Sequence, residues 1–225
     1  MLPDRTTLSP AATAFSSTPT GPEGLARWGR LPVVLAVLTA ISAAYYLLVA
    51  FGNITDYTSN EPFVRAVVGM SDGFSGKGIT DPDLTWRRIS EPWVQTGIYW
   101  LIIGWEVLTG LVLAWATVAW VRALRTRRGV TTARGLSTLG WLMGVLLFFG
   151  GFLTVGGEWW AMWQNSTFNG QEPAFRNSIL ALAGILLAHL PSPDWADRGS
   201  VADPESSTKA PVDDSAQAVD QPAGT

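Results

Sequence analysis

An all-α integral membrane protein, a polytopic four-helix bundle with both termini cytoplasmic, is the fold class that these residues predict. Three observations carry the prediction. Charged residues make up 15% of the 225-residue chain against 48% hydrophobic, a charge content too low for an ordinary water-soluble domain. The few charges also avoid whole stretches, the clearest being LPVVLAVLTAISAAYYLLVAF at residues 31–51. Finally, VGGEWWAMWQ at residues 155–164 closes an apolar run with two glycines, a carboxylate and three tryptophans. That is the composition of a bilayer–water interface, where an indole keeps its ring in the apolar layer and its N–H wet.

Each element follows from local composition. Residues 1–26 are rich in Thr, Ser, Pro and Ala and lack the apolar content to form a core, so a disordered tail is expected. Residues 31–51 carry no charge and at ~1.5 Å per residue cross a ~30 Å hydrocarbon layer. Arg27 and Arg30 precede this run as they would in a signal peptide, but its length exceeds the roughly 7–15 residues of a cleavable core, so an uncleaved anchor is expected. In the loop that follows, EPFVRAVVGM at residues 61–70 reads as an interfacial helix with Phe63, Val64, Val67 and Val68 against the bilayer. The glycine-bearing stretch 71–83 reads as a connector.

The second span is 97–120, interrupted only by Glu106, and the third is 136–155. A fourth, 174–190, reaches crossing length only if Arg176 near its start snorkels outward. Residues 191–225, rich in Asp, Pro, Ser and Ala, read as a disordered acidic tail. The transmembrane domain is therefore 27–190.

Orientation follows from the basic residues. Arg122, Arg125, Arg127, Arg128 and Arg134 crowd the linker between the second and third spans with no acid among them, which assigns that linker to the cytoplasm. Arg27 and Arg30 assign the N-terminus to the same side. In both remaining loops acids outnumber bases, as expected outside. Four spans with both termini cytoplasmic, in a bacterial inner or plasma membrane, satisfy these counts; a three-span protein with its acidic tail outside is the alternative.

Within the spans the informative residue is Glu106, about ten residues into its run. An ionised carboxylate at mid-bilayer costs about 2.5–3.5 kcal/mol, so Glu106 is expected to be neutral, paired or facing water. Gln95, Tyr99, Thr109, Gly110 and Thr117 share its helix face with Ile102, Ile103 and Leu113. That face is either part of a proton or solute path or the donor side of an interhelical hydrogen bond. In the third span, Ser137, Gly140, Gly144, Gly151 and Val155 recur at helical spacing and lead to Glu158. Gly140, Gly144 and Gly151 are thus the expected packing positions, with Glu158 against a neighbouring helix. At the outer face, Arg87, Arg88 and Arg176 reach the depth of Glu158, and an Arg–Glu158 pair is expected. Residues 60–65 (NEPFVR) and 171–176 (QEPAFR) echo each other, hinting at a repeated two-span unit.

NITDYxxN from Asn53, FV at Phe63, WRxI from Trp86, YWxII from Tyr99, Glu106, GGEWxxMWQ from Gly156 and NGQxxAFR from Asn169 together carry a resemblance. Over residues 31–190 the chain resembles a bacterial family of predicted small integral membrane proteins of unknown function. The resemblance implies a four-helix membrane protein and supplies no reaction. Members commonly carry a histidine after the FV pair where this chain has Ala66, which tells against any histidine-dependent metal role.

No cysteine occurs and His189 is the one histidine. Disulfides, thiol catalysis, zinc, Fe–S clusters and bis-histidine haem are thereby excluded, and no cofactor or catalytic set is assigned. The arginine linker sets topology, with no nucleic acid as partner. Three functions fit. The favoured one is an accessory or scaffolding subunit, with the lipid bilayer, another membrane protein or a second copy as its partners. A small proton-coupled transporter or channel would use Glu106 and Glu158. A membrane enzyme acting on lipid or quinone at the outer interface would depend on Glu158, Trp163, Gln164 and Asn169.

Overall fold

The computed structural model describes residues 27–71 and 78–195. The tails expected at 1–26 and past residue 195, and residues 72–77 of the connector, lie outside the described residues. Among the described residues every regular element is helical.

Helix α1, Leu31–Thr55, starts with Pro32 in its first turn, where the missing N–H would have had no partner anyway. Helix α2, Tyr57–Val68, follows almost at once. Helix α3, Pro92–Thr126, again opens on proline and runs 35 residues, ~52 Å at the helical rise. It stops at Arg127 with φ 56°, and Gly129 at φ 82° turns the chain with a backbone that glycine adopts without steric cost. Helix α4, Val130–Val145, continues without a break into a π-helical segment, Leu146–Trp159. Helix α5 is Gln171–His189.

Among the described residues three helices are long and apolar enough to cross a membrane: Leu31–Thr55, Pro92–Thr126 and the continuous Val130–Trp159. Helix α5 has polar first turns, carrying Gln171, Glu172, Arg176 and Asn177. It nevertheless runs the length of the bundle. At its start the Gln171 side chain lies against Gly157 at the far end of the π segment. Past its other end Asp194 pairs with Arg30, just ahead of α1, at 2.5 Å. There Arg134 Nε donates to the Ala188 carbonyl at 2.8 Å and its guanidinium stacks on Trp195, 4.4 Å from the ring centre. The first five residues of the stretch read as a tail are thus docked on the bundle.

Helix α1 packs on α3, α3 on α4, α4 on α5, and α5 closes back onto α1. Leu35, Tyr46, Leu113, Trp120, Trp141 and Phe148 fill the core between them. The outward surface is also apolar, with Leu48 69%, Trp115 66% and Leu180 70% exposed, an arrangement stable in lipid and not in water. A polar layer crosses one end. Trp120 Nε1 donates to Ser137 Oγ at 2.8 Å, Thr39 Oγ1 is 3.1 Å from the same oxygen, and Ser137 donates back to the Ala133 carbonyl. Gly140 and Gly144 are buried as expected, but they seat side chains instead of a backbone: the Leu113 side chain lies over Gly140 and the Tyr46 hydroxyl over Gly144.

The expected packing face ends there. The π segment bonds i to i+5, as where the Trp160 N–H reaches the Val155 carbonyl at 3.1 Å, so each turn takes an extra residue. The buried positions accordingly move from Ser137, Gly140 and Gly144 to Leu147, Phe148, Gly156 and Gly157. Gly151, Val155 and Glu158, which continue the α-helical spacing, are turned to the surface. A second correction concerns α2. It begins at Tyr57, earlier than the sequence indicates, and Val64 and Val68 bury against Tyr99 and Ile103 of α3 instead of facing the bilayer.

Candidate functional site

Glu106 is 4% exposed and held in a polar node between α1, α2 and α3. Asn53 Nδ2 donates to its Oε2 at 2.7 Å. The Asn53 carbonyl oxygen in turn accepts from Asn60 Nδ2 at 2.8 Å and from the Tyr99 hydroxyl at 3.3 Å. Asn53 uses its amide both ways, so one side chain satisfies three partners in a dry setting, where an unpaired carboxyl or hydroxyl would cost about 1–3 kcal/mol. An interhelical hydrogen bond, one of the two roles open to Glu106, is present, with Glu106 accepting where the sequence predicts it to donate. Glu106 is level with Asn53, two residues beyond the charge-free run 31–51, and so stands near the end of α1. From this node to the Trp120–Ser137–Thr39 layer is about fourteen residues along both α1 and α3, ~21 Å.

Beside the node lies a groove of about 530 Å³. The α-helical part of α4 packs on both α3 and α5, whereas the π segment leans on α5, and the space left between it and α3 is the groove. Val64 and Val67 of α2, Ile98 and Trp105 of α3, and Phe152 and Gly156 of the π segment are among its walls. Trp105 is spoken for, its indole N–H donating to the Met143 carbonyl at 2.9 Å. Glu106 does not line this space.

Arg87 ends a short 3₁₀ turn, Pro82–Arg87, beside the groove. Trp160, one of the groove walls, donates its indole N–H to the Arg87 carbonyl at 3.3 Å, and the Ile89 N–H bonds the carbonyl of Val68, another wall, at 3.0 Å. The guanidinium lies 5.4 Å from the Trp86 ring centre and 5.2 Å from that of Trp159, a cation–π arrangement. Its Nη1 makes a long 3.4 Å contact with the Trp159 carbonyl. Arg87 Nε is enclosed without a hydrogen-bond partner.

The remaining sequence-predicted residues do not converge on one site. No Arg–Glu158 pair forms among the described residues: Glu158 is exposed, Arg87 stacks on tryptophans, and Arg176 pairs with Glu172 on its own helix at 3.2 Å. The π register explains this, since it turns Glu158 outward. Arg88 and Trp163 are exposed. Gln164 ties two loops together, its carbonyl oxygen accepting from the Thr80 hydroxyl and the Asp81 N–H, each at 3.1 Å. Asn169 accepts from the Gln171 N–H at 3.1 Å at the start of α5. The echo between residues 60–65 and 171–176 has a structural counterpart, because Glu61–Arg65 and Glu172–Arg176 form equivalent i,i+4 ion pairs.

Sequence reasoning missed Asn53 as the partner of Glu106 and Asn165 as a loop anchor. Asn165 is buried, its Nδ2 donates to the Ser71 carbonyl at 3.1 Å, and its oxygen accepts from the N–H groups of Thr167 and Phe168. Asn53 had a signal in its position just past a charge-free run, and Asn165 had none. Among the described residues no group of His, Asp and Glu side chains is arranged to hold a metal ion.

Comparison with known proteins returned no match among curated proteins and none among solved structures. One family model does match, that of the predicted small integral membrane protein (DUF2165), over residues 31–191. That region holds the node, the groove and every helix of the bundle, and the chain belongs to this family of integral membrane proteins of unknown function.

Proposed function

We propose that this is a four-span accessory protein of the bacterial inner membrane, with both termini cytoplasmic, that works by binding a hydrophobic partner and performs no chemistry of its own. The observation that carries the reading is the apolar groove between α3 and the π segment, a ligand-sized recess at bilayer depth whose walls offer no reactive group. Four spans are supported by α5 running end to end along the bundle and by Asp194 pairing with Arg30. The arginine-rich linker at the same end supports a cytoplasmic location for it.

A transport role draws less support. Glu106 is committed to Asn53, Glu158 is exposed, and neither lines the groove. The test is purification of the full chain from its native membrane in mild detergent, followed by identification of what stays bound. A stoichiometric protein or lipid companion supports the binding reading. Proton-linked flux in vesicles that vanishes in Glu106→Gln, with assembly intact, would replace it with the transporter.

A further inference from the structure

We propose that the groove holds an acyl chain of an anionic phospholipid from the outer leaflet, with the lipid phosphate seated on the Arg87 guanidinium. This rests on the binding reading above and names its ligand. The walls are hydrocarbon, and the indole N–H groups of Trp105 and Trp160 already bond the carbonyls of Met143 and Arg87. A quinone or other polar-headed ring entering the groove would therefore find no free donor there. Leu101 and Leu146 line the groove and are 68% and 61% exposed, so it is open along its side, in the direction from which a bilayer chain would enter.

Size argues against a partner helix. A helix with its side chains is ~10–12 Å across and advances 5.4 Å per turn, so one turn alone displaces on the order of 500 Å³, nearly the whole of the 530 Å³ recess. An extended acyl chain is far thinner.

Charge selects the headgroup. Arg87 is fixed to the groove rim through its own carbonyl on Trp160. Among the described residues it has no carboxylate partner, and beyond the long Nη1 contact with the Trp159 carbonyl its terminal nitrogens make no hydrogen bond. A guanidinium with free donors, set against two tryptophans whose own rings meet edge to face at 5.7 Å, matches the planar recognition of a phosphodiester. It stands where a chain lying in the groove would end.

The experiment is native mass spectrometry of the full chain released from nanodiscs of equal phosphatidylcholine and phosphatidylglycerol with identical acyl chains. Wild type is expected to retain one lipid and to prefer phosphatidylglycerol about tenfold, because the phosphodiester is common to both lipids and only phosphatidylcholine sets a trimethylammonium cation beside the Arg87 guanidinium. Arg87→Gln is expected to retain one lipid without preference. Gly151→Leu is expected to retain none, because position 151 lines the groove and a Cβ there meets nothing nearer than the Leu146 carbonyl at 3.9 Å. Its circular dichroism and melting temperature check that it still folds. A wild type that keeps no lipid or keeps both lipids equally overturns the inference, as does Gly151→Leu retaining lipid like wild type. An empty groove together with a stoichiometric protein companion sinks the lipid but leaves the binding reading standing. Neither lipid nor companion sinks both.

Discussion

Replacing Asn53 by alanine removes the hub of the polar node around Glu106, and the structure sets the size of the effect. Three hydrogen bonds vanish, those to Glu106, Asn60 and Tyr99. Asn60 is exposed and regains water, so its loss costs little. Glu106 and Tyr99 are 4% and 1% exposed and are left without that partner, at about 1–3 kcal/mol each in dry surroundings, with interhelical bonds in lipid toward the lower end. The expected destabilisation is therefore about 2–4 kcal/mol. Two neighbouring variants calibrate it. Tyr99→Phe gives up a single 3.3 Å bond while Asn53 keeps Asn60, and should cost about 0.5 kcal/mol. Glu106→Gln keeps an oxygen for Asn53 Nδ2 and should cost no more. Reversible unfolding in mixed micelles by dodecyl sulfate titration, followed by circular dichroism, orders the three. Asn53→Ala within about 0.5 kcal/mol of wild type, or Tyr99→Phe as damaging as Asn53→Ala, would refute the assignment of Asn53 as hub.

Other consequences of the packing are as readily measured. A Cβ at position 144 would stand 2.1 Å from the buried Tyr46 hydroxyl, whereas one at 151 meets nothing nearer than the Leu146 carbonyl oxygen at 3.9 Å. In the same titration Gly144→Ala should lose about 1–3 kcal/mol to overpacking, and Gly151→Ala should be neutral or gain up to about 1 kcal/mol in helix propensity. Ser137→Ala strips the Trp120 indole N–H, fully buried, of its acceptor and should cost about 1–3 kcal/mol, with a shift in tryptophan emission. Asp194→Asn weakens only the half-exposed pair with Arg30. Its effect on the melting temperature should correspond to less than about 1 kcal/mol and shrink at high salt.

Much of this architecture was legible in composition. Runs with no charge, or in α3 with Glu106 alone, identified α1, α3 and the α4–π helix because lipid leaves no room for unpaired charge, and the inward face of Glu106, Gln95, Tyr99 and Thr109 followed from helical spacing. What was not legible came from a change of period. Nothing in LLFFGGFLTV announces i to i+5 bonding, so carrying 3.6-residue spacing past Val145 pointed Gly151 and Glu158 inward when they face out. The groove is invisible for the same reason, since it exists only because the π segment leans away from α3. The face of α2 was misjudged because its valines suit a lipid surface and the flank of α3 equally well, and tertiary contact decided between them. Arg87 was singled out from sequence with the wrong partner: a carboxylate was expected where two tryptophans stand.

The proposed four crossings with both ends inside are directly measurable, because the sequence has no native cysteine. Single cysteines at Thr126, Trp163 and Ser192, probed in intact cells with a membrane-impermeant maleimide, report each side of the bundle. Trp163→Cys should label from outside, while Thr126→Cys and Ser192→Cys should label only after the membrane is opened. Labelling of Ser192→Cys in intact cells would carry the end of α5 to the outer face and contradict the account.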